Sequence, residues 1–240
     1  MSWIDVSGMD FSALNKAIRN AGNDCRIRSG PGQRFLAAGK ESGSVQIEGI
    51  PGNALGADPE GADLTVYGNA QDAVGDTMNA GSITVYGSVG DAVGYAMRGG
   101  EILIRDNAGY RAGIHMKEYR GKKPVLVIGG RTGSFLGEYQ AGGLILVLAL
   151  HRDGRPSVGN FPGTGMHGGK MMLRGDVSGI RFPEQTVRRE ATAEDLAEAE
   201  PYLRRYAERF GADVEFLLRS SCTVVTPGGA NPYRQMYVSN

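Results

Sequence analysis

From residue 33 to residue 177 the apolar side chains keep a fixed distance from a recurring glycine. Gly56, Gly75, Gly94 and Gly113 stand 19 residues apart. Eight residues past the first three anchors comes an aliphatic position: Leu64, Ile83 and Ile102. Ten past them comes a second: Val66, Val85 and Ile104. Gly137 and Gly163 continue the series at intervals of 24 and 26 residues, with Ile145 and Met171, then Val147 and Leu173, in the same two columns. The extra residues fall in two insertions, Lys117 to Pro124 (with one more near Gly129) and His151 to Pro162. A weaker unit fits ahead of these, with Ala37 in the anchor place and Val45 and Ile47 in the columns. About seven units result.

Within a unit, Leu64-Thr65-Val66-Tyr67 alternates with period two, the mark of a short strand with one buried face. No unit is long enough to enclose a core alone, so the units must stack and share one, as solenoids do. Nineteen residues at about 3.3 Å each make a coil about 60 Å around, which suits two or three short strands and tight corners. Leucine-rich repeats do not fit, because their Leu-x-x-Leu-x-Leu spacing and asparagine are missing. The expected fold is an all-β solenoid, a parallel β-helix of about seven coils of period 19. Met78, Met97, Met116 and Met166, three residues past their anchors, read as a packed core column rather than a ligand set. Thr65 with Thr84, and Tyr67 with Tyr86, should form outward ladders.

Two helices flank the repeat in this reading. Asp10 to Gly22 carries an apolar stripe of Leu14, Ala17 and Ile18, with Gly22 as its stop. Thr192 is a cap with Asp195 in a cap-like place three residues on. Leu203, Tyr206, Ala207 and Phe210 share a face, and Pro201 should kink that helix or start another. The organisation is a helical cap over 1–32, the β-helix over 33–180, and a helical extension with an irregular tail over 181–240. The helices should cover the open ends or flank of the stack.

Composition narrows the function. With 26 basic and 26 acidic residues the chain lacks the excess positive charge of nucleic-acid or anionic-membrane binders. No secretory signal or span-length apolar run is present, so a cytoplasmic protein is expected. Two cysteines, Cys25 and Cys222, are too few to ligate an iron–sulfur cluster or zinc and read as reduced thiols, a structural disulfide being the alternative. Glycine, at 38 of 240 residues, far exceeds the usual share of about 7% and belongs at the corners.

Candidate chemistry is sparse. Gly163 to Gly168 spells G-x-G-x-x-G, but Pro162 precedes it and a strand-like segment follows, and the same residues fit the repeat register. Gly168-Gly169-Lys170 is followed by Met171 where a phosphate loop wants Ser or Thr. His115, His151 and His167 form no metal-ligand spacing, and Ser134 lies outside a nucleophile elbow. Asp72, Asp76 and Asp91 fall at corners, where aspartate satisfies turn amides; calcium held between coils is the rival reading. No catalytic, cofactor-binding or metal residue is assigned.

The segments GDTMNAGSITVYG, GYAMRGGEILIRD, AGYRAGIHMKEY, GEYQAGGLILVL and GTGMHGGKMMLRG resemble the GXGXG-repeat family. That family includes the right-handed β-helix of the large glutamate synthase subunit and the corresponding separate chains of archaeal-type and N-methylglutamate synthase-like enzymes. It also includes the β-helix polypeptide of formylmethanofuran dehydrogenase. The resemblance implies a right-handed helix and a non-catalytic subunit, in keeping with what is missing: the chain starts Met-Ser-Trp without an N-terminal cysteine nucleophile. It implies hetero-oligomeric partners, a glutaminase-type amidotransferase subunit and a synthase subunit that bears FMN and an iron–sulfur cluster, with no cofactor in this chain. A formylmethanofuran dehydrogenase-type complex is the alternative parent, and a stand-alone binding or carbohydrate-active solenoid is a third reading.

Overall fold

A computed structural model describes residues 2–6, 8–29, 32–151 and 154–229. The tail expected to be irregular, from Asn231 on, lies outside the described residues. Nine strands climb the stack in chain order: β1 (Ser2–Ile4), β2 (Asp24–Ser29), β3 (Ser44–Gly49), β4 (Glu60–Tyr67), β5 (Ala80–Val85), β6 (Glu101–Ile104), β7 (Val125–Ile128), β8 (Ala141–Val147) and β9 (Gly168–Arg174). Each pairs in parallel with the next. Then β10 (Thr186–Glu190) and β11 (Cys222–Pro227) complete one sheet in the order β1 to β9, β11, β10. The fold is the expected parallel β-solenoid, and its register superimposes the expected columns. Leu64, Ile83, Ile102, Leu126, Ile145 and Met171 lie one above another, as do Val66, Val85, Ile104, Ile128, Val147 and Leu173. Leu126 and Ile128 occupy the places that the first insertion displaces in sequence. All twelve are fully or almost fully buried, and Met78, Met97, Met116 and Met166 are buried with them. On the outer face Thr65 pairs with Thr84, and Tyr67 stacks on Tyr86 at 5.3 Å between centroids.

Each coil contains one regular strand, where two or three were expected. The anchor side is built differently: residues two before, at, and two after each anchor all adopt left-handed backbone, as in Ala73-Gly75-Thr77, Ala92-Gly94-Ala96 and Arg111-Gly113-His115. Alternation of this kind is incompatible with extended strand, yet its amides still pair between coils. The anchor N–H donates to the coil below (Gly94 N to Val74 O, 2.8 Å), and the flanking N–H groups donate to the coil above (Ala92 N to Tyr110 O, 2.8 Å). The backbone is thereby satisfied without β geometry. Glycine is needed at the anchor because its missing Cβ faces inward: at Gly75 a Cβ would stand 2.5 Å from Ile102 Cδ1.

The stack starts earlier than the glycine register suggests. Cys25 and Ile27 of β2 align with Val45 and Ile47, and Ile4 of β1 with Ile27. Between these strands, α1 (Phe11–Asn20) buries Leu14 and Ile18 against the first coils. Asp10 caps it, accepting from Ala13 N at 2.8 Å, and Gly22 follows its end with φ +81°.

The other end is closed by strands, where only helices were expected. β11 pairs antiparallel with β9, and β10 with β11, so the last parallel edge is covered. The new edge, β10, is rich in charge (Thr-Val-Arg-Arg-Glu), which discourages further pairing. Between them, α2 (Ala193–Phe210) and α3 (Val214–Arg219) cross the outer face of the sheet. The α2 helix runs unbroken through Pro201 and stops at Gly211, whose φ is +72°; no second helix begins at the proline. Its start is a capping box, with the Asp195 carboxylate accepting from Thr192 N at 2.9 Å and the Thr192 hydroxyl from Asp195 N at 3.3 Å. Ala199, Leu203 and Tyr206 press on Leu103, Val127, Leu146 and Met172, forming a second core outside the solenoid. A buried leucine such as Leu203 contributes about 1.5–3 kcal/mol there.

Candidate interaction surface

Side chains at the corners repeat from coil to coil, and most are spent on neighbouring amides. Asn53 Oδ1 accepts from Asp72 N at 3.3 Å, Asp72 Oδ1 from Asp91 N at 2.8 Å, and Asp91 Oδ1 from Tyr110 N at 2.8 Å. A second ladder runs beside it: Asn69 Oδ1 accepts from Ser88 N, Ser88 Oγ from Asn107 N, and Asn107 Oδ1 from Arg131 N. Asp72 and Asp91 thus do what corner aspartates were expected to do. Asp76 does not join them. One of its oxygens is buried without a hydrogen bond, and burial, helped by the charge of Asp58, raises its pKa. Among the described residues no three His, Cys, Asp or Glu side chains gather as a metal centre would need.

The other flagged residues are dispersed. His115 stacks on Tyr139 (5.1 Å between centroids) with Tyr95 edge-on at 5.8 Å. His151 Nε2 lies 3.3 Å from Asp106 Oδ1, and His167 Nδ1 3.0 Å from the Gly165 carbonyl. Ser134 Oγ accepts from Asn160 N at 3.0 Å. Lys170 meets no phosphate cradle; it sits beneath α2 against Asp195 and Glu198. Gly163 to Gly168 leads into strand β9, and no helix follows. Cys25 lies inside the second coil and Cys222 on β11, at opposite ends of the sheet, and burial raises both thiol pKa values. Eight strand spacings separate β2 from β11, about 38 Å at roughly 4.8 Å each, which rules out a bond between them and any shared cluster.

The two insertions part company. The first folds back on itself, with Tyr119 and Lys122 exchanging backbone hydrogen bonds of 3.1 and 3.0 Å, and ties to α2 through Lys123 and Glu198. The second borders a cleft of about 610 Å³, lined by Arg155, Pro156, Val158 and Asn160 from the insertion and by Tyr110, Arg131 and Thr132 from the coils beneath. Beside this cleft the second ladder ends at Arg131, and the first is interrupted at Tyr110 before Ser134 Oγ, accepting from Asn160 N, and Asn160 Oδ1, accepting from Arg181 N, resume it. Tyr110 and Arg131 donate their amides to Asp91 and Asn107 but carry no short acceptor for the next coil, and their side chains line the cleft instead. The wall between is glycine (Gly109, Gly133, Gly159), because a Cβ there would strike the neighbouring coil, at 2.1 Å from Asp91 Oδ1 for Gly109. Alongside, Arg111 lies over Phe135 at 5.4 Å and pairs with Glu138 at 2.9 Å, and Phe135 stacks on Phe161 at 5.6 Å. Sequence reasoning singled out the insertion but not Tyr110, Arg131 or Arg155. Its available signal was the replacement of Asn, Asp or Ser at positions 110 and 131 of the ladder columns.

Fold and surface together define a capped repeat scaffold, a solenoid that presents side chains at its corners. The chain belongs to the GXGXG motif family, whose pattern it matches over residues 14–221. It is 40% identical to the uncharacterized protein MJ1350 of Methanocaldococcus jannaschii, an alignment covering 98% of this chain and 95% of that one. A chain in the crystal structure of the formyltransferase/hydrolase complex FhcABCD from Methylorubrum extorquens, determined with methylofuran, has the same fold. The TM-score is 0.60 at 19% identity, over 92% of this chain and 89% of the other. No helix among the described residues is long and apolar enough to cross a membrane.

Proposed function

We propose that this chain is a non-catalytic structural subunit of a larger enzyme complex, holding catalytic polypeptides in register. The observation that carries the proposal is the use of the corner residues: side chains capable of chemistry are bonded into ladders between coils, while Tyr110, Arg131 and Arg155 line one cleft with Arg111, Phe135 and Phe161 alongside it. Tyr, Phe and Arg are the residues enriched at protein interfaces. Membership of the GXGXG family supports a scaffold, and the similar fold within a multi-protein complex supports partners.

The complex we favour is glutamate synthase-like, with a glutaminase-type amidotransferase subunit and a synthase subunit that brings FMN and an iron–sulfur cluster. This chain has no cysteine set for the cluster, its two thiols lying at opposite ends of the sheet. Its own contribution is therefore rigidity and position. The second reading, a formyltransferase or formylmethanofuran dehydrogenase-type complex, is favoured by the fold shared with the FhcABCD component. Affinity purification of the tagged chain from its native host, with mass spectrometry of what accompanies it, separates the two. An amidotransferase and an FMN-binding synthase support the first reading; a formyltransferase or molybdopterin enzyme replaces it with the second. A solitary chain, or glutaminase activity from the chain alone, refutes the scaffold proposal.

A further inference from the structure

The cleft beside the second insertion differs from the rest of the molecule in charge. The whole chain balances 26 basic against 26 acidic residues, yet the described lining of the cleft holds two arginines, Arg131 and Arg155, and no aspartate or glutamate. Both arginines also engage groups within the chain, and five N–H donors leave each guanidinium others to offer. Of the flanking acids, Asp91 accepts from Tyr110 N through Oδ1, and Glu138, 12% exposed, is paired with Arg111. Tyr110 rises over the cleft at 55% exposure, and Phe161, at 38%, continues the aromatic surface along the corner.

From this charge and shape we propose that the cleft is a docking site for an acidic loop of a partner polypeptide. Carboxylates of the loop pair with Arg131 and Arg155, and its apolar flank packs on Tyr110 and Phe161. The proposal rests on the scaffold reading above and makes it specific. Arginine suits this role because its fork pairs with a carboxylate through two hydrogen bonds at once. The rigid glycine wall suits it as well, since a preformed groove costs the partner little ordering on the scaffold side.

The test uses the full chain expressed in its native host, with a photo-crosslinking amino acid at position 110, and maps the attached peptide by mass spectrometry. In parallel, Arg155→Glu is compared with wild type for recovery of the same partner, with Arg28→Glu, on the far end of the sheet, as a control for general charge effects. The expected result is a crosslink to a partner segment containing aspartate or glutamate. Partner recovery should fall about tenfold or more in Arg155→Glu, as at a central interface arginine, and stay level in Arg28→Glu. Reversing an acid of the mapped loop to arginine should restore it. A crosslink to a second copy of this chain, or to a segment without acids, overturns the proposal. So does wild-type recovery by Arg155→Glu; in each of these cases the scaffold reading survives if a partner is still retained. A wild-type chain that brings down no partner overturns both.

Discussion

Gly75, Gly94 and Gly113 hold the same backbone conformation, φ +68°, at equivalent places in consecutive coils. They differ in the space a methyl group would enter. A Cβ at Gly75 stands 2.5 Å from Ile102 Cδ1 and 3.3 Å from Ile83 Cδ1, whereas at Gly94 the nearest atom, Met97 Sδ, is 3.7 Å away. Alanine at either site bears the left-handed penalty, about 1–2 kcal/mol. At Gly75 it also overpacks the core, adding about 1–3 kcal/mol. Gly94→Ala should therefore cost about 1–2 kcal/mol and Gly75→Ala about 2–5 kcal/mol, a large part of a domain's usual stability of roughly 5–15 kcal/mol. Ala37, which occupies the anchor place at φ +58°, shows that alanine is tolerated where space allows. Equilibrium urea unfolding of the two variants, followed by circular dichroism, gives the comparison. Equal losses, or a larger one at Gly94, would refute the claim that the inward Cβ clash, rather than backbone conformation alone, places glycine in this column.

Three further outcomes are expected. The Asp195 carboxylate, held well below the usual range by its bonds to Arg189, Lys170 and Thr192, should lose about 1.5–3 kcal/mol of stability when changed to asparagine at pH 7. Because its folded pKa is depressed, that contribution is present above the unfolded value of about 3.9 and disappears as pH falls toward the folded value, so the gap between wild type and Asp195→Asn should narrow below about pH 4 in acid unfolding curves. Tyr206 is buried and donates to the Arg105 carbonyl at 2.9 Å, and burial raises its pKa. Its neutral form is favoured in the fold, so wild-type stability should drop as pH rises past about 10, and Tyr206→Phe, weaker at pH 7 by about 1–3 kcal/mol for the orphaned carbonyl, should lack that drop. Cys25, fully buried with a raised pKa, should resist a disulfide-exchange thiol reagent in the native protein and react once urea unfolds it; native labelling at the rate of a free thiol would contradict its place in the core.

The parts of the fold legible in sequence are those that repeat. Each aliphatic column was readable because parallel stacking places Leu64, Ile83 and Ile102 in register, and the anchor glycine recurs at Gly56, Gly75 and Gly113 with the same clash behind it. The capping box at Thr192 and Asp195 was readable because it is local. Elements used once were not. Strands β1 and β2 extend the columns, but the chain before Cys25 is α1, without an anchor glycine to align. Strands β10 and β11 pair in the opposite sense, so no repeat register points to them. The single strand per coil was missed because Ala73, Thr77 and His115 occupy left-handed positions that their residue types do not advertise. The cleft was missed because Tyr110, Arg131 and Arg155 belong to different coils, and only stacking brings them together.

One signal for tertiary packing was present in the outward column of the strands and needed the register to decode. From the first coils to the last, it runs Arg26, Gln46, Thr65, Thr84, then Leu103, Val127, Leu146, Met172. The change from polar to apolar marks the edge of the area covered by α2, and it explains why β7 and β8 are apolar on both faces whereas β4 alternates. A strand with two buried faces loses its period-two pattern, so the run from Leu144 to Leu150 records a covering layer as well as a core. The ladder columns follow the same logic at the corners. Where Asn, Asp or Ser recurs, a coil is bonding to its neighbour; where Tyr110 and Arg131 replace them, the side chain no longer serves the ladder and lines the cleft. In a solenoid the repeat specifies the scaffold, and departures from the repeat, read column by column, locate what the scaffold contacts.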